Sequence, residues 1–393
     1  MRWMRRGSSD CGLPWSVADV THFAETTSGV PTRGTRWAEG PRLILQTWLG
    51  TRLLMGAVLL WLMITEGRTP AQMLANWDVA HFLAIAADGY AEPQDVAFFP
   101  GWPLLLRFFA GLGVPVLLAG VLLAWLFSGV AAAALYRMAG TSAAVAWLLA
   151  PVAIFTAVPY TESLFCAAAF WAWERAQSRR WGQVAALAAV AAGVRVSGVF
   201  LIGALAILAL SQSGPALARL RRLAWLALPS LVVGVYLWYL RGLTGSWTAW
   251  YQAQAEGWSR GFTLPWVSLQ QTLEATMPGA YPDHPEWSWV FRAELVSMAV
   301  GLLVTLVMLA RRRWAEGAWV GVQVAAFATS YWFISVNRAV LLWFPLWIGL
   351  GRLAEGRGRL RLAHRLIVGA VVVAALGLQT VWSWLFLTGR WAG

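Results

Sequence analysis

Apolar stretches of about 20 residues, the length that crosses a bilayer core, recur along this chain, with short basic or Gly- and Pro-containing breaks between them. The pattern predicts spans near 45–65, 114–136, 142–159, 161–175, 182–194, 197–211, 223–241, 289–310, 316–334, 339–351 and 366–387. A backbone in lipid must satisfy its own polar groups, so the expected class is an all-α polytopic membrane protein with about 11 transmembrane helices. The stretch 182–211 reads as one long helix or as a hairpin of two short ones. One helix would put every later arginine cluster on the outer side, so the hairpin is expected, with Arg195 at its outer tip. Two interruptions are long, 66–113 and 242–288. In the first, Leu74, Trp77, Phe82, Ile85 and Ala86 recur at helical spacing between Ala71 and Ala87. This predicts an interfacial helix with Asp78 and His81 three apart on one face. "DGY" at 88–90 ends it, and "FFPGWP" at 98–103 returns the chain to the membrane, because Pro100 and Pro103 disfavour helix in the residues before them. Residues 1–42, basic and polar, read as a disordered cytoplasmic tail, and 43–393 as a single transmembrane domain.

Charge refines this picture. The chain is 59% hydrophobic and 12% charged, with a net charge of +12, and its arginines fall in short clusters between the apolar runs. Such clusters are topology signals rather than a nucleic-acid face. With the N-terminus cytoplasmic, the inner loops collect the arginines of 175–180, 219–222, 311–313 and 352–365, as the positive-inside tendency asks. The same orientation leaves eleven of the eighteen acidic residues outside. Carboxylate chemistry is therefore expected on the extracytoplasmic face, in the two long loops. Abundant Arg, Ala and Gly without any Lys hint at a GC-rich bacterial gene, so the expected location is a bacterial cytoplasmic membrane. Cys11, in the tail, and Cys166, in an apolar run, do not read as a disulfide pair.

Candidate chemistry concentrates in "NWDVAHFLAIAADGYAEPQDVAFFP" at 76–100. Asp78 stands beside Trp77 at the water–lipid boundary, where a carboxylate suits a general base; the structural alternatives are a helix cap or an ion pair with an arginine. His81 is its companion or an interfacial hydrogen-bonder. Asp88, Glu92 and Asp95 are expected to solvate and shape the turn, Asp88 also being a candidate to position a substrate. Asp78, His81, Asp88 and Asp95 lack the spacing of a metal-ligand motif, so neither a metal nor another cofactor is indicated. Three outer arginines, Arg338, Arg195 and Arg260, suit a phosphate through their planar fork. The alternative for Arg195 is snorkelling and for Arg260 a structural role in "EGWSRGF". Glu162 and Ser163 are expected to cap the helix beginning "TESLF", with Glu162 also a candidate to orient an arginine. Among 28 tryptophans, most of them interfacial, Trp77, Trp102 and Trp258 are candidate platforms for sugar or lipid.

"WDVAHFLAIAADGY" followed by "AFFPGWPLLLR" resembles the first-loop signature of the PIG-V family, the second mannosyltransferases of GPI-anchor synthesis and their bacterial relatives. "YTESLF" at 160–165, "GVRVSG" at 193–198, "RGFTLPW" at 260–266 and "NRAVLLWFPLWIGLG" at 337–351 follow in the family's order, so the resemblance covers about residues 42–387. Family members usually carry a bulkier residue where Gly101 stands, often Asn where Ser197 stands and often Tyr where Ala339 stands. The family is similar to the GT-C glycosyltransferases. The resemblance therefore implies a GT-C-like fold, a polyprenyl-phosphate-mannose donor and a glycolipid or other membrane acceptor, with no nucleic-acid partner. It implies an inverting transfer with Asp78 as base; that chemistry asks for cations at the leaving phosphate, for which Arg338, Arg195 and Arg260 are the candidates. Trp77, His81, Asp88, Trp102, Glu162 and Trp258 would line the substrates. The alternatives are another polyprenyl-phosphate sugar or a protein acceptor, and a membrane transporter. A transporter would carry ionisable groups near mid-membrane and an internal repeat, and neither is apparent.

Overall fold

A computed structural model describes residues 33–355 and 361–393; the expected tail therefore falls mostly outside the described residues. Helix α1 (Arg33–Glu66) takes in the tail's final residues, and Leu43–Gly393 form one body. Three short helices, α2 (Pro70–Leu74), α3 (Asp78–Asp88) and α4 (Gly101–Gly111), precede the long α5 (Val116–Ala139). Then come α6 (Thr141–Leu148), α7 (Glu162–Gln177) and the pair α8 (Trp181–Val194) and α9 (Ser197–Ser211). Next are α10 (Ala216–Trp225), α11 (Ala227–Thr244), and two short helices of the second long loop, α12 (Ala249–Trp258) and α13 (Pro265–Ala275). The chain closes with α14 (Trp287–Ala310), α15 (Trp314–Ala328), the single turn α16 (Val336–Ala339), α17 (Phe344–Ala354) and α18 (Arg361–Leu387). Among the described residues there is no strand, only an isolated bridge between Phe262 and Ser330. The protein is an all-α polytopic membrane protein. Five stretches are long and apolar enough to cross a bilayer by themselves: Glu39–Glu66, Val116–Ala139, Ala216–Thr244, Trp287–Ala310 and Leu362–Leu387.

Helix α7 lies at the centre and is buried along nearly its whole length. Its alanines at 167–169 and 172, with Ala131 and Ala134 of α5 and Ala188 of α8, let the three helices approach closely, the usual device where no hydrophobic driving force separates helix from lipid. The expected hairpin at 182–211 is present. The chain breaks at Arg195, and α8 packs against α9. Gly198 makes the tight return possible, since a Cβ there would come within 2.4 Å of the Ala192 Cα.

Three expected elements differ. The span at 142–159 is not one helix: α6 stops at Leu148, and irregular chain with a 3-10 turn at Ala153–Thr156 follows. Pro151 and Pro159 remove backbone donors there. The exposed carbonyls are met from elsewhere: Gln379 Nε2 donates to Leu148 O at 2.9 Å and Ala150 O at 3.0 Å, Trp125 Nε1 to Ala157 O and Trp102 Nε1 to Pro159 O, each at 3.0 Å. Arg52 donates to Thr156 O at 3.1 Å. Non-helical backbone at this depth is tolerated because protein, not lipid, surrounds it. The span at 339–351 likewise begins as a turn and breaks at Trp343, before Pro345. The interfacial helix at 71–87 is two helices with a sharp corner at Trp77, whose φ of 57° is left-handed.

The family position usually occupied by a bulkier residue has a physical explanation in this chain. A Cβ on Gly101 would lie 2.6 Å from Gly193 O, so α4 begins in direct backbone contact with the end of α8, two residues before Arg195. Gly101→Val should cost about 1–3 kcal/mol through overpacking and displace Arg195. A thermal melt of the detergent-solubilised protein checks this, and an unchanged midpoint would contradict it.

Candidate active site

Glu162 is the hub of the site. It is the first residue of α7, with 0% of its surface exposed, and burial of a carboxylate at that level requires partners. Two arginines supply them. Arg195, from the α8–α9 corner, donates through Nη1 to Glu162 Oε1 and to Thr161 Oγ1, the latter at 2.8 Å. Arg338, from α16, places Nε 3.0 Å from the same Glu162 oxygen. Capping, expected of Glu162 and Ser163, is not their role. Thr161 precedes the helix without a side-chain cap bond, and Ser163 Oγ donates to Thr156 O at 3.0 Å.

Asp78 completes the chain of charges. Arg338 Nη1 donates to Asp78 Oδ2 at 2.6 Å, so one guanidinium is shared by two carboxylates from distant segments. Asp78 is the first residue of α3, and its backbone N–H donates to Tyr160 Oη at 3.2 Å. The corner at Trp77 aims it there. A bulky residue at positive φ is strained, and such strain persists only where surrounding contacts fix it. Here Asn76 Nδ2 donates to Met73 O at 2.9 Å and Phe386 O at 2.8 Å, while Trp77 Nε1 donates to Arg390 O at 3.1 Å. The Arg338 guanidinium also lies over the rings of Tyr160 and Phe155, 5.2 and 5.6 Å from their centroids. Burial works against its charge, but Asp78 and Glu162 more than compensate and hold its pKa above the ordinary arginine value.

The loop carrying Arg338 is clamped from below. Glu294, fully buried in the first part of α14, accepts from Ser335 N at 2.9 Å and Asn337 N at 2.8 Å. Ser297 Oγ adds a 2.8 Å bond to Asn337 Oδ1. Ser335, with φ of 64°, is a second strained residue beside the ion pairs. Glu294→Gln keeps one acceptor but turns an amide donor toward the other N–H, an expected cost of about 1–3 kcal/mol. A lower melting midpoint would register it; a variant as stable as the parent would not fit the clamp.

Two cavities share Ser335 in their walls, three residues before Arg338, which lines the first of them. One, of about 240 Å³, is lined by Asp78, Arg338 and aromatic walls that include Trp77, Trp258, Trp287 and Trp391. The other, of about 330 Å³, is lined by Arg195 and Arg260 together with Phe200, Phe262 and Phe327. Arg260 donates to Ile334 O at 3.3 Å, yet its Nε is buried without a partner, and burial pulls its pKa down to about 10. The first cavity joins an acidic group and a cation to aromatic surfaces; the second joins two cations to an apolar wall.

The structure thus draws Asp78, Glu162, Arg195 and Arg338 together, with Arg260, Trp77 and Trp258 on the cavity walls. It does not bring in two other candidates. Trp102 is wholly buried in the core, bound to Pro159 O, and lines neither cavity. Asp88 is exposed at the far end of α3, about 15 Å along the helix axis from Asp78 at 1.5 Å per residue. Asp95, expected to solvate the turn, is instead buried and bound to His81. Among the described residues no three His, Cys, Asp or Glu side chains converge as a metal site would need. Sequence reasoning passed over Tyr160, Thr161 and Glu294. The signal for Glu294 was an acidic residue in an apolar run, which is costly in lipid and therefore informative.

Comparison with known proteins places these observations. Residues 68–267 match the family described as mannosyltransferase (PIG-V). The chain is similar to GPI alpha-1,6-mannosyltransferase 2 of Rattus norvegicus, 35% identical, of Mus musculus, 34%, and of Homo sapiens, 33%. Each alignment takes in 33% of this chain and spans only 30% of the relative's length. No solved structure matches. The family match covers more than half of the chain, including Asp78, Glu162, Arg195 and Arg260, and the chain belongs to the mannosyltransferase (PIG-V) family.

Proposed function

We propose that the protein is an integral membrane mannosyltransferase that moves mannose from polyprenyl-phosphate mannose to a glycolipid or other membrane acceptor on the extracytoplasmic face. The observation that carries this reading is the shared guanidinium of Arg338, held between Asp78 and Glu162 in the wall of the cavity that contains Asp78. The donor phosphate would lie toward Arg195 and Arg260, with its prenyl chain along the phenylalanine wall. Its mannose would face the cavity that contains Asp78. The acceptor hydroxyl oxygen attacks the anomeric carbon from the side opposite the phosphate, the bond from that carbon to the phosphate oxygen breaks, and the lipid phosphate leaves as an anion. The hydroxyl proton goes to Asp78, and the configuration inverts. A phosphate arriving beside Arg338 competes with Asp78 for the guanidinium, freeing the carboxylate to act as base, while Arg338, Arg195 and Arg260 stabilise the charge that develops on the leaving group.

Purified protein given radiolabelled polyprenyl-phosphate mannose and a membrane lipid extract should form labelled glycolipid, while GDP-mannose should give none. Transfer from the nucleotide donor alone would reject the donor class. Sidedness is checked separately: a cysteine introduced at Glu92 should react with an impermeant thiol reagent added outside intact cells, and reaction only from the inside would invert the orientation.

A further inference from the structure

One pair of titratable groups beside the site has no part in the mechanism above. His81 lies three residues after Asp78, one turn along the same face of α3, where side chains are neighbours. Its Nδ1 is 2.9 Å from Asp95 Oδ1, in the 3-10 turn Pro93–Ala97. The Asp95 side chain is 2% exposed, and its second oxygen accepts the Glu92 N–H at 3.2 Å. An ionised carboxylate only accepts, so Nδ1 carries a proton and Nε2 is the free nitrogen of the ring. The ring is further fixed by stacking on Phe98, with centroids 5.0 Å apart, and by Trp258 at 5.8 Å. Trp258 is also a wall of the Asp78 cavity. The His81 side chain remains 29% exposed, against 15% for Asp78, so the ring has the readier access to water. A histidine oriented by a buried carboxylate, with one nitrogen free and partial access to solvent, has the construction of a proton-transfer group.

Resting on the transfer reaction proposed above, we infer that His81 and Asp95 form a relay that empties the base: the proton Asp78 takes from the acceptor hydroxyl passes across a bridging water to His81 Nε2 and from there to bulk water. Asp95 positions the ring and holds Nδ1 protonated. The step is needed because a protonated Asp78 cannot accept a second proton, and its neighbour Arg338 only donates. No bond other than those to the moving proton changes, and the carboxylate is restored for the next acceptor.

The test uses the full-length protein with polyprenyl-phosphate mannose and an acceptor that the unmodified enzyme accepts. His81→Ala should lower kcat at least tenfold with donor and acceptor KM within about twofold, the mark of a step after binding. Imidazole added to this variant should restore kcat at least threefold, which a merely structural histidine would not allow. Asp95→Asn should lower kcat in the same direction, without response to imidazole. An unchanged kcat in His81→Ala, or a loss that imidazole does not relieve, overturns the relay while leaving the transfer reaction standing. Failure of the unmodified protein to transfer mannose overturns both.

Discussion

Asp78→Asn should lower mannosyl transfer by about 10²–10⁴-fold, the span associated with loss of a positioned general base. The amide is nearly the same size and still offers an oxygen to Arg338, so folding and donor binding should change little. What disappears is the capacity to accept a hydroxyl proton while the acceptor oxygen attacks. Steady-state kinetics should show the loss in kcat, with the donor KM close to that of the parent. Retention of most of the transfer would remove Asp78 from the role of base. The surroundings sharpen the comparison: Asp78 lines the 240 Å³ cavity, and among the described residues no other Asp or Glu side chain lines it.

Arg338→Ala should have the other large effect, a loss of about 10²–10³-fold in kcat/KM for the donor, as when one preorganised donor to a developing anion is removed. Arg338 holds Asp78 at 2.6 Å and Glu162 at 3.0 Å, so its removal also leaves two carboxylates from different segments facing one another. Arg195 still pairs with Glu162, which limits the structural damage. Arg338→Lys separates the two contributions. Lysine keeps the charge but loses the planar fork that reaches two partners at once, so it should recover folding and only part of the rate. Donor kinetics that do not change in Arg338→Ala would take this residue out of the phosphate site, whatever its effect on stability.

Much of the architecture was legible from periodicity. A run of about 20 apolar residues has few alternatives to a membrane helix, because unsatisfied backbone in lipid is so costly. That logic placed α1, α5, α14 and α18 within a few residues in their apolar portions, and the orientation rule favoured the break at Arg195 over a continuous helix. It failed at 142–159 and 339–351 for one shared reason. Irregular backbone can sit at membrane depth if side chains from other helices satisfy its carbonyls, and Gln379, Trp125 and Trp147, which do so, are remote in sequence from the groups they meet.

The sequence by itself determined the class of protein, the two long loops that hold nine of its eighteen acidic residues, and the candidate residues for phosphate and for proton transfer. It singled out Asp78, Arg195, Arg260 and Arg338 one by one. Only the tertiary structure decided which of them meet. Arg338 is 260 positions from Asp78, and no local spacing encodes a contact of that range. The same holds for the loser in each ambiguity. Asp88 and Asp95 look equivalent in a polar turn, yet helix geometry carries Asp88 to an exposed end while the turn at Pro93 folds Asp95 inward against His81. Trp102 reads like Trp77 in composition, but α4 turns it into the core and the strained corner leaves Trp77 on the cavity wall. Apolar period sets which residues enter the membrane, a local property. Burial and charge pairing set which of the polar ones come together, and these belong to the packed molecule.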